Sequence, residues 1–202
     1  GLAHVNVVSS IFFAGLSGSA VADTSALGSM LIPAMEKQGY SRKFSAAVTA
    51  ASSVIGPIIP PSIIMIVYAY IMEISVAALF LAGVVPGLLT GVGLMTMVSI
   101  IARRREYPVA DRFPGIRVAA KAGLNAFWPL LTPFIIIGGI LSGVFTPTEA
   151  AGAAVVYAII LCLFMKSLPL SRVSSMLFRT AISSSVILMA VGMATVFAWI
   201  AT

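Results

Sequence analysis

The stretch Gly15-Leu16-Ser17-Gly18-Ser19-Ala20-Val21-Ala22-Asp23, GLSGSAVAD, breaks an apolar run with glycine and serine and ends on the first charge of the chain. Gly and Ser loosen a helix and permit a tight turn. A carboxylate directly after such a break needs a reason, and the reason depends on the solvent around it.

That solvent is lipid. Hydrophobic residues make up 60% of the 202-residue chain and charged residues only 9%, and the mean hydropathy is +1.10. Soluble domains carry about a quarter charged residues. Uncharged runs long enough to span a bilayer, which takes roughly 20 residues, occur at 76–102, 44–72, 122–148 and 180–202. The composition predicts an all-α integral membrane protein embedded in a lipid bilayer. The net charge of +6 then reads as loops on the cytoplasmic side rather than as nucleic-acid binding. The single cysteine, Cys162, lies in an apolar run and excludes an intrachain disulfide. The first residue is Gly1, no signal-peptide pattern follows it, and Thr202 closes an apolar segment. An internal piece of a longer protein is expected.

The basic residues set the topology. They form three groups: Lys37, Arg42 and Lys43; Arg103, Arg104, Arg105, Arg112, Arg117 and Lys121; and Lys166, Arg172 and Arg179, which together are all 12 Lys and Arg. The connections near residues 72–75 and 144–149 have none. The positive-inside rule places the three groups in the cytoplasm and these two connections outside. Crossings then run outward over 44–72, inward over 76–102, outward over 127–143, inward over 147–165, and outward again from 180. Residues 103–126 form a basic cytoplasmic connection whose part 115–126 suits an interfacial helix against anionic headgroups, although a plain topology anchor is the simpler reading.

The N-terminal part does not fit two crossings. Only twelve residues, 24–35, separate Asp23 from Glu36. As helix they reach about 18 Å, short of the roughly 30 Å hydrocarbon core. Residues 1–36 are therefore expected to form a re-entrant helical hairpin, entering as 2–16, turning at 17–23 and returning as 24–35. GLSGSAVAD becomes its tip. Irregular backbone at that depth is tolerated only against protein or a water-filled cavity. A second interruption, Gly56-Pro57-Ile58-Ile59-Pro60-Pro61-Ser62, lies in the next span. Three prolines remove donors and clash with the preceding turn, so 41–72 is predicted as a broken helix with halves near 44–55 and 62–72. The break leaves carbonyls that suit a cation such as Na⁺, and a helix N-terminus that suits an anion. A broken span beside a re-entrant hairpin points to a secondary-transporter binding site.

These residues resemble a known family. GLSGSAVADTSALGSMLIPAMEKQGY and AAVTAASSVIGPIIPPSIIMIVYA are similar to the large membrane subunit (DctM type) of TRAP transporters, the tripartite ATP-independent periplasmic transporters. LAGVVPGLL, IARRREYP and GGILSGVFTPTEAAGAAVVYA resemble later blocks, so the likeness covers essentially the whole chain. It implies an elevator-type, multi-span transporter built on an inverted repeat, of which this chain holds one hairpin and one broken helix. It implies Na⁺ as coupling ion, no other cofactor, and a carboxylate substrate such as a C4-dicarboxylate or a sialic acid. It further implies a periplasmic substrate-binding protein (DctP type), a small membrane subunit (DctQ type), and a bacterial or archaeal cytoplasmic membrane. The expected substrate- and ion-binding residues are Ser17, Gly18, Ser19, Asp23, Gly56, Pro57, Pro60, Pro61 and Ser62. Na⁺ is expected at Ser17, Ser19, Asp23 and Gly56. The second hairpin and its broken helix are expected beyond Thr202.

Several of these residues carry a structural reading as well. Ser17, Gly18 and Ser19 also permit a tight turn. Asp23 either ligates the ion or places a charge at a helix N-terminus, and both can hold. Thr146-Pro147-Thr148-Glu149 reads as a capping box. His4 lacks partner ligands, and Gly83, Gly87 and Gly91 allow close helix approach. Gly15-Leu16-Ser17-Gly18 also matches the G-x-S-G of rhomboid-type intramembrane serine proteases. A serine nucleophile needs a positioned base, and no His follows His4 in this chain. No enzyme is expected.

Overall fold

The computed structural model describes residues 1–107, 115–165, 167 and 170–201. Among the described residues every regular element is an α-helix: α1 (Leu2–Ser17), α2 (Ala20–Lys37), α3 (Arg42–Ser53), α4 (Ile63–Ile71), α5 (Val76–Arg104), α6 (Ile116–Leu141), α7 (Pro147–Phe164) and α8 (Leu170–Ala201). Four stretches are long and apolar enough to cross a membrane: Val76–Arg104, Ala122–Leu141, Pro147–Phe164 and Val173–Phe197. Their outward side chains are large and apolar, as at Val85, Leu89, Phe134 and Phe164. Helices of this kind satisfy every backbone group internally, which hydrocarbon demands.

α1 and α2 form the expected hairpin, with a tighter tip. Gly18 takes the left-handed conformation at φ 59° and returns its N–H to the Ala14 carbonyl at 3.0 Å. Ser19 is extended and accepts from the Ala22 N–H at 3.4 Å, so α2 starts at Ala20 rather than Thr24. The turn is thus confined to Gly18 and Ser19, not spread over 17–23. Ala20, Val21 and Ala22 join the helix because Ser19 supplies the cap they need. The returning helix has 18 residues, about 27 Å, and Asp23 falls in its first turn.

The proline-rich break is wider than expected, running over 54–62 instead of 56–61. α3 runs 42–53 under the Ser41 cap, and α4 runs 63–71 under the Ser62 cap. Between them the chain makes tight turns, with Ile58 and Ile59 both donating to the Ile55 carbonyl at 2.9 Å. The Pro60–Pro61 peptide is cis.

Both ends of the hairpin lie at one end of α5. His4 Nε2 meets Ser99 Oγ at 2.7 Å. Tyr40 and Phe44 stack with Tyr107 at ring distances of 4.7 and 5.0 Å, and Ser41 Oγ lies 2.9 Å from the Tyr107 hydroxyl. The groups Lys37, Arg42, Lys43 and Arg103–Arg105 therefore gather at the same end. A core of Ala3, Val7, Met35, Tyr40, Phe44, Val48 and Val98 fills that end. The glycine stripe of α5 receives the break and the hairpin. A Cβ at Gly83 would lie 2.6 Å from the Ile58 carbonyl, one at Gly87 would strike Ile59, and one at Gly91 would lie 2.9 Å from Ile11.

Other boundaries differ from the sequence reading. α6 begins at Ile116 behind Gly115, so 116–126 is continuous with the span read from 127 instead of forming a separate connection. Strong helix formers such as Ala119, Ala120 and Leu124 extend it. Arg112 and Lys166, and the side chains of Lys121 and Arg172, lie outside the described residues. Residues 1–158 form one compact unit and 159–202 a second. The second is mainly α8, whose 32 residues start at Leu170, earlier than the expected 180, and carry Arg179 within an apolar span.

Candidate functional site

The hairpin tip and the helix break meet. A Cβ on Gly18 would lie 2.6 Å from the Pro61 carbonyl and 3.0 Å from the Ser62 Cα. A Cβ on Gly56 would lie 2.7 Å from Asp23 Oδ2 and 3.3 Å from the Ser19 carbonyl carbon. Only glycine allows either approach. Gly15 packs on Pro133 of α6, with the Pro60 carbonyl beyond. Ser17, Gly18, Ser19, Asp23, Gly56, Pro60, Pro61 and Ser62 thus share one locus. Pro57 is half-buried in the break and contributes the stop that ends α3.

Asp23 is the centre of this locus. It is fully buried. Ser17 Oγ donates to Asp23 Oδ1, while Oδ2 has no hydrogen-bond partner. That orphan oxygen faces Gly56. Ser17 Oγ also accepts from the Ser19 N–H at 3.2 Å, which fixes the hydroxyl over the turn. Ser62 is buried and accepts from the Met65 N–H at 3.4 Å, taking one of the amides that the first turn of α4 leaves. Among the described residues no three His, Cys, Asp or Glu come together. The donors on offer are one carboxylate, hydroxyls and backbone carbonyls, a hard oxygen set. A buried carboxylate with an unpaired oxygen is costly without a counter-charge, so the residues fit a small hard cation.

Sequence reasoning missed the support beneath the site. Asn6 Nδ2 donates to Thr49 Oγ1 at 2.7 Å, and Ser10 Oγ to Ser52 Oγ at 2.8 Å. Ser52 and Ser53 both donate to the Thr49 carbonyl, at 3.2 and 2.8 Å. All these side chains are fully buried. The signal was available: Asn6 and Ser10 are four apart, and Ser45, Thr49, Ser52 and Ser53 recur at helical spacing. This seam ties α1 to α3 and so holds the hairpin against the break.

Other singled-out residues have local roles. Glu149 Oε2 accepts from the Thr146 N–H and hydroxyl, both at 2.8 Å, and the Glu149 N–H donates to Thr146 Oγ1 at 3.3 Å. That is the reciprocal capping box read from the sequence. His4, at the opposite end of α1 from Ser17, bonds Ser99. Residues 4 and 17 lie on one continuous helix, about 20 Å apart along its axis, so His4 cannot serve Ser17 as a base. The G-x-S-G match aims its serine at a carboxylate instead.

The sequence pattern of the tripartite ATP-independent periplasmic transporter, DctM component, matches residues 1–202. The chain belongs to this family. Its relatives in the DctM family include the sialic acid TRAP transporter large permease protein SiaM of Vibrio cholerae, 43% identical over 98% of this chain and 47% of the relative. The C4-dicarboxylate large permease DctM of Pseudomonas aeruginosa is 40% identical over 100% of the chain and 47% of its own length. The isethionate permease DctMQ of Oleidesulfovibrio alaskensis is 37% identical over 100% of the chain and 32% of its own length. The chain spans about half or less of the length of these DctM relatives. It is a multi-pass helical membrane sequence of a transporter family, and the tip–break locus lies within the matched region.

Proposed function

We propose that this chain provides one half of the ion and substrate site of a TRAP large permease, driving import of an organic anion by Na⁺ symport. The carrying observation is Asp23, buried between the hairpin tip and the break with Oδ2 unpartnered. Na⁺ at that oxygen, joined by carbonyls of the tip and break and by the Ser17 hydroxyl, supplies the missing counter-charge. The anionic substrate group binds nearby, where the bound ion and the first turn of α4 favour negative charge. The hairpin enters from the cytoplasmic, basic end and returns to it without crossing. The part that holds the hairpin and the broken helix then moves across the membrane as an elevator against a scaffold.

Relatives named for sialic acid, C4-dicarboxylate and isethionate support a carboxylate or related anion as substrate. A periplasmic binding protein delivers it, and a small subunit, separate or fused, braces the permease in the cytoplasmic membrane. The deciding experiment uses the full-length permease in proteoliposomes with its small subunit and binding protein. Uptake of the anion should follow an imposed inward Na⁺ gradient. Uptake of equal rate with choline in place of Na⁺ would refute the coupling.

A further inference from the structure

An apolar groove of about 180 Å³ runs between α3 and α5, away from the tip and break. Its walls are Phe44, Ala47 and Ala51 on α3, and Leu94, Met97 and Ile101 on α5. Every lining side chain is apolar, and the small side chains of Ala47 and Ala51 leave the space open. Both alanines and Met97 are exposed. The groove therefore opens on the outside of residues 1–158, among the exposed apolar side chains that suit hydrocarbon.

The two walls end in cations at the same end. On α3, Lys43 precedes Ala47 by four residues and Ala51 by eight, which puts all three on one helix face. On α5, Arg104 follows Ile101 by three and Met97 by seven, again on one face. The helices are antiparallel: the Tyr107 ring beyond α5 stacks on Phe44 at the start of α3, at 5.0 Å. Lys43 and Arg104 are both exposed and so flank one mouth of the groove. Arg42 is engaged elsewhere, 3.6 Å from Glu36, and Arg103 lines a different cavity, with His4 and Tyr40. The remainder of the groove carries no charge. Cations at one end and an uncharged apolar channel behind them match an amphiphile with an anionic head and a hydrocarbon tail.

We propose that this groove is a binding site for an anionic phospholipid. One acyl chain lies over Ala47 and Ala51 against Leu94 and Met97, and Lys43 and Arg104 hold the phosphate. The site is independent of the ion site at Asp23, so the failure of either leaves the other standing.

Native mass spectrometry of the purified full-length protein tests it, with phosphatidylglycerol, phosphatidylcholine and inorganic phosphate as probes. The wild type should retain one phosphatidylglycerol in preference to phosphatidylcholine, and inorganic phosphate should not displace it. Lys43→Gln and Arg104→Gln should each weaken phosphatidylglycerol retention about five-fold, the effect of one surface cation. Ala47→Leu with Ala51→Leu should fill the groove and abolish retention of both lipids. These positions are exposed, so an unchanged melting temperature confirms that the variants are folded. Equal retention by the wild type and all variants overturns the proposal. So does displacement by inorganic phosphate, which would mark a headgroup contact without a chain. A photo-crosslinker at position 51 that captures another segment of the full-length protein rather than lipid overturns it as well.

Discussion

Gly18 and Gly56 matter because of what a side chain would displace. Each lets the hairpin tip press backbone against the break: Gly18 onto the Pro61 carbonyl, Gly56 under the Asp23 carboxylate. Gly18 also sits at φ 59°, where an L side chain costs about 1–2 kcal/mol. Gly18→Ala adds to this an overlap with backbone that cannot rotate away. We expect it to destabilise the full-length protein by about 2 kcal/mol or more, read as a lower melting temperature in detergent. An unchanged melting temperature would show that the tip does not press on Pro61. At this scale the sequence was informative about which residues matter and less so about why. The GLSGSAVAD and Gly56–Ser62 stretches stood out because they offend helix rules. That Asp23 Oδ1 is bonded to Ser17 while Oδ2 is not depends on a side-chain direction, and no spacing rule supplies that.

Among the elements, the broken helix and hairpin depend on the seam between α1 and α3. The prolines explain why the helix breaks, but the seam explains why the break stays against the tip. Asn6 links Thr49 and lies 3.5 Å from the Ser52 hydroxyl through its carbonyl. Asn6→Leu removes those bonds and leaves the Thr49 hydroxyl without its donor in a dry interface, at a cost of about 1–3 kcal/mol. Replacing Asn6, Ser10, Thr49 and Ser52 together with apolar residues of similar volume should recover part of that loss, since the Ser10 hydroxyl, which donates to Ser52, is then not left unpaired. Chemical or thermal unfolding of the purified protein measures both. A single variant as stable as wild type would mean that the seam is not a fastener.

The seam went unread because a run such as Ser45-Ala46-Ala47-Val48-Thr49 looks merely small and weakly polar in one dimension. The element boundaries slipped for a related reason. Ser19 caps α2 one turn before Asp23, and a charge in the sequence attracts the eye more than a cap. The capping box at Thr146–Glu149 was legible since its two bonds are local and fixed by a three-residue spacing.

For the whole molecule, the charge distribution carried most of the architecture. Lys37, Arg42 and Lys43 meet Arg103–Arg105 at one end of residues 1–158 through Tyr40, Ser41 and Tyr107, as one shared side for these charges requires. The α4–α5 connection, containing Ile74, lies at the other end of α5. In a full-length protein stripped of its other cysteines, including Cys162, Ile74→Cys should react with a membrane-impermeant maleimide added outside the cell. Labelling only after the membrane is opened would invert the topology. What the sequence could not convey at this scale is how residues 159–202 pack, because α8 is apolar or small on nearly every side and shows no face that selects a neighbour.

The central claim is that Asp23, seated by the tip against the break, binds the coupling ion. Equilibrium binding of ²²Na⁺ to the purified full-length protein, wild type beside Asp23→Asn, tests it most directly. Asparagine keeps the shape and an acceptor for Ser17 but removes the charge. The account predicts saturable Na⁺ binding by the wild type and a loss of at least one bound ion, or a ten-fold or greater weakening, in Asp23→Asn, about 1.4 kcal/mol or more. Identical Na⁺ binding by the two proteins would contradict it.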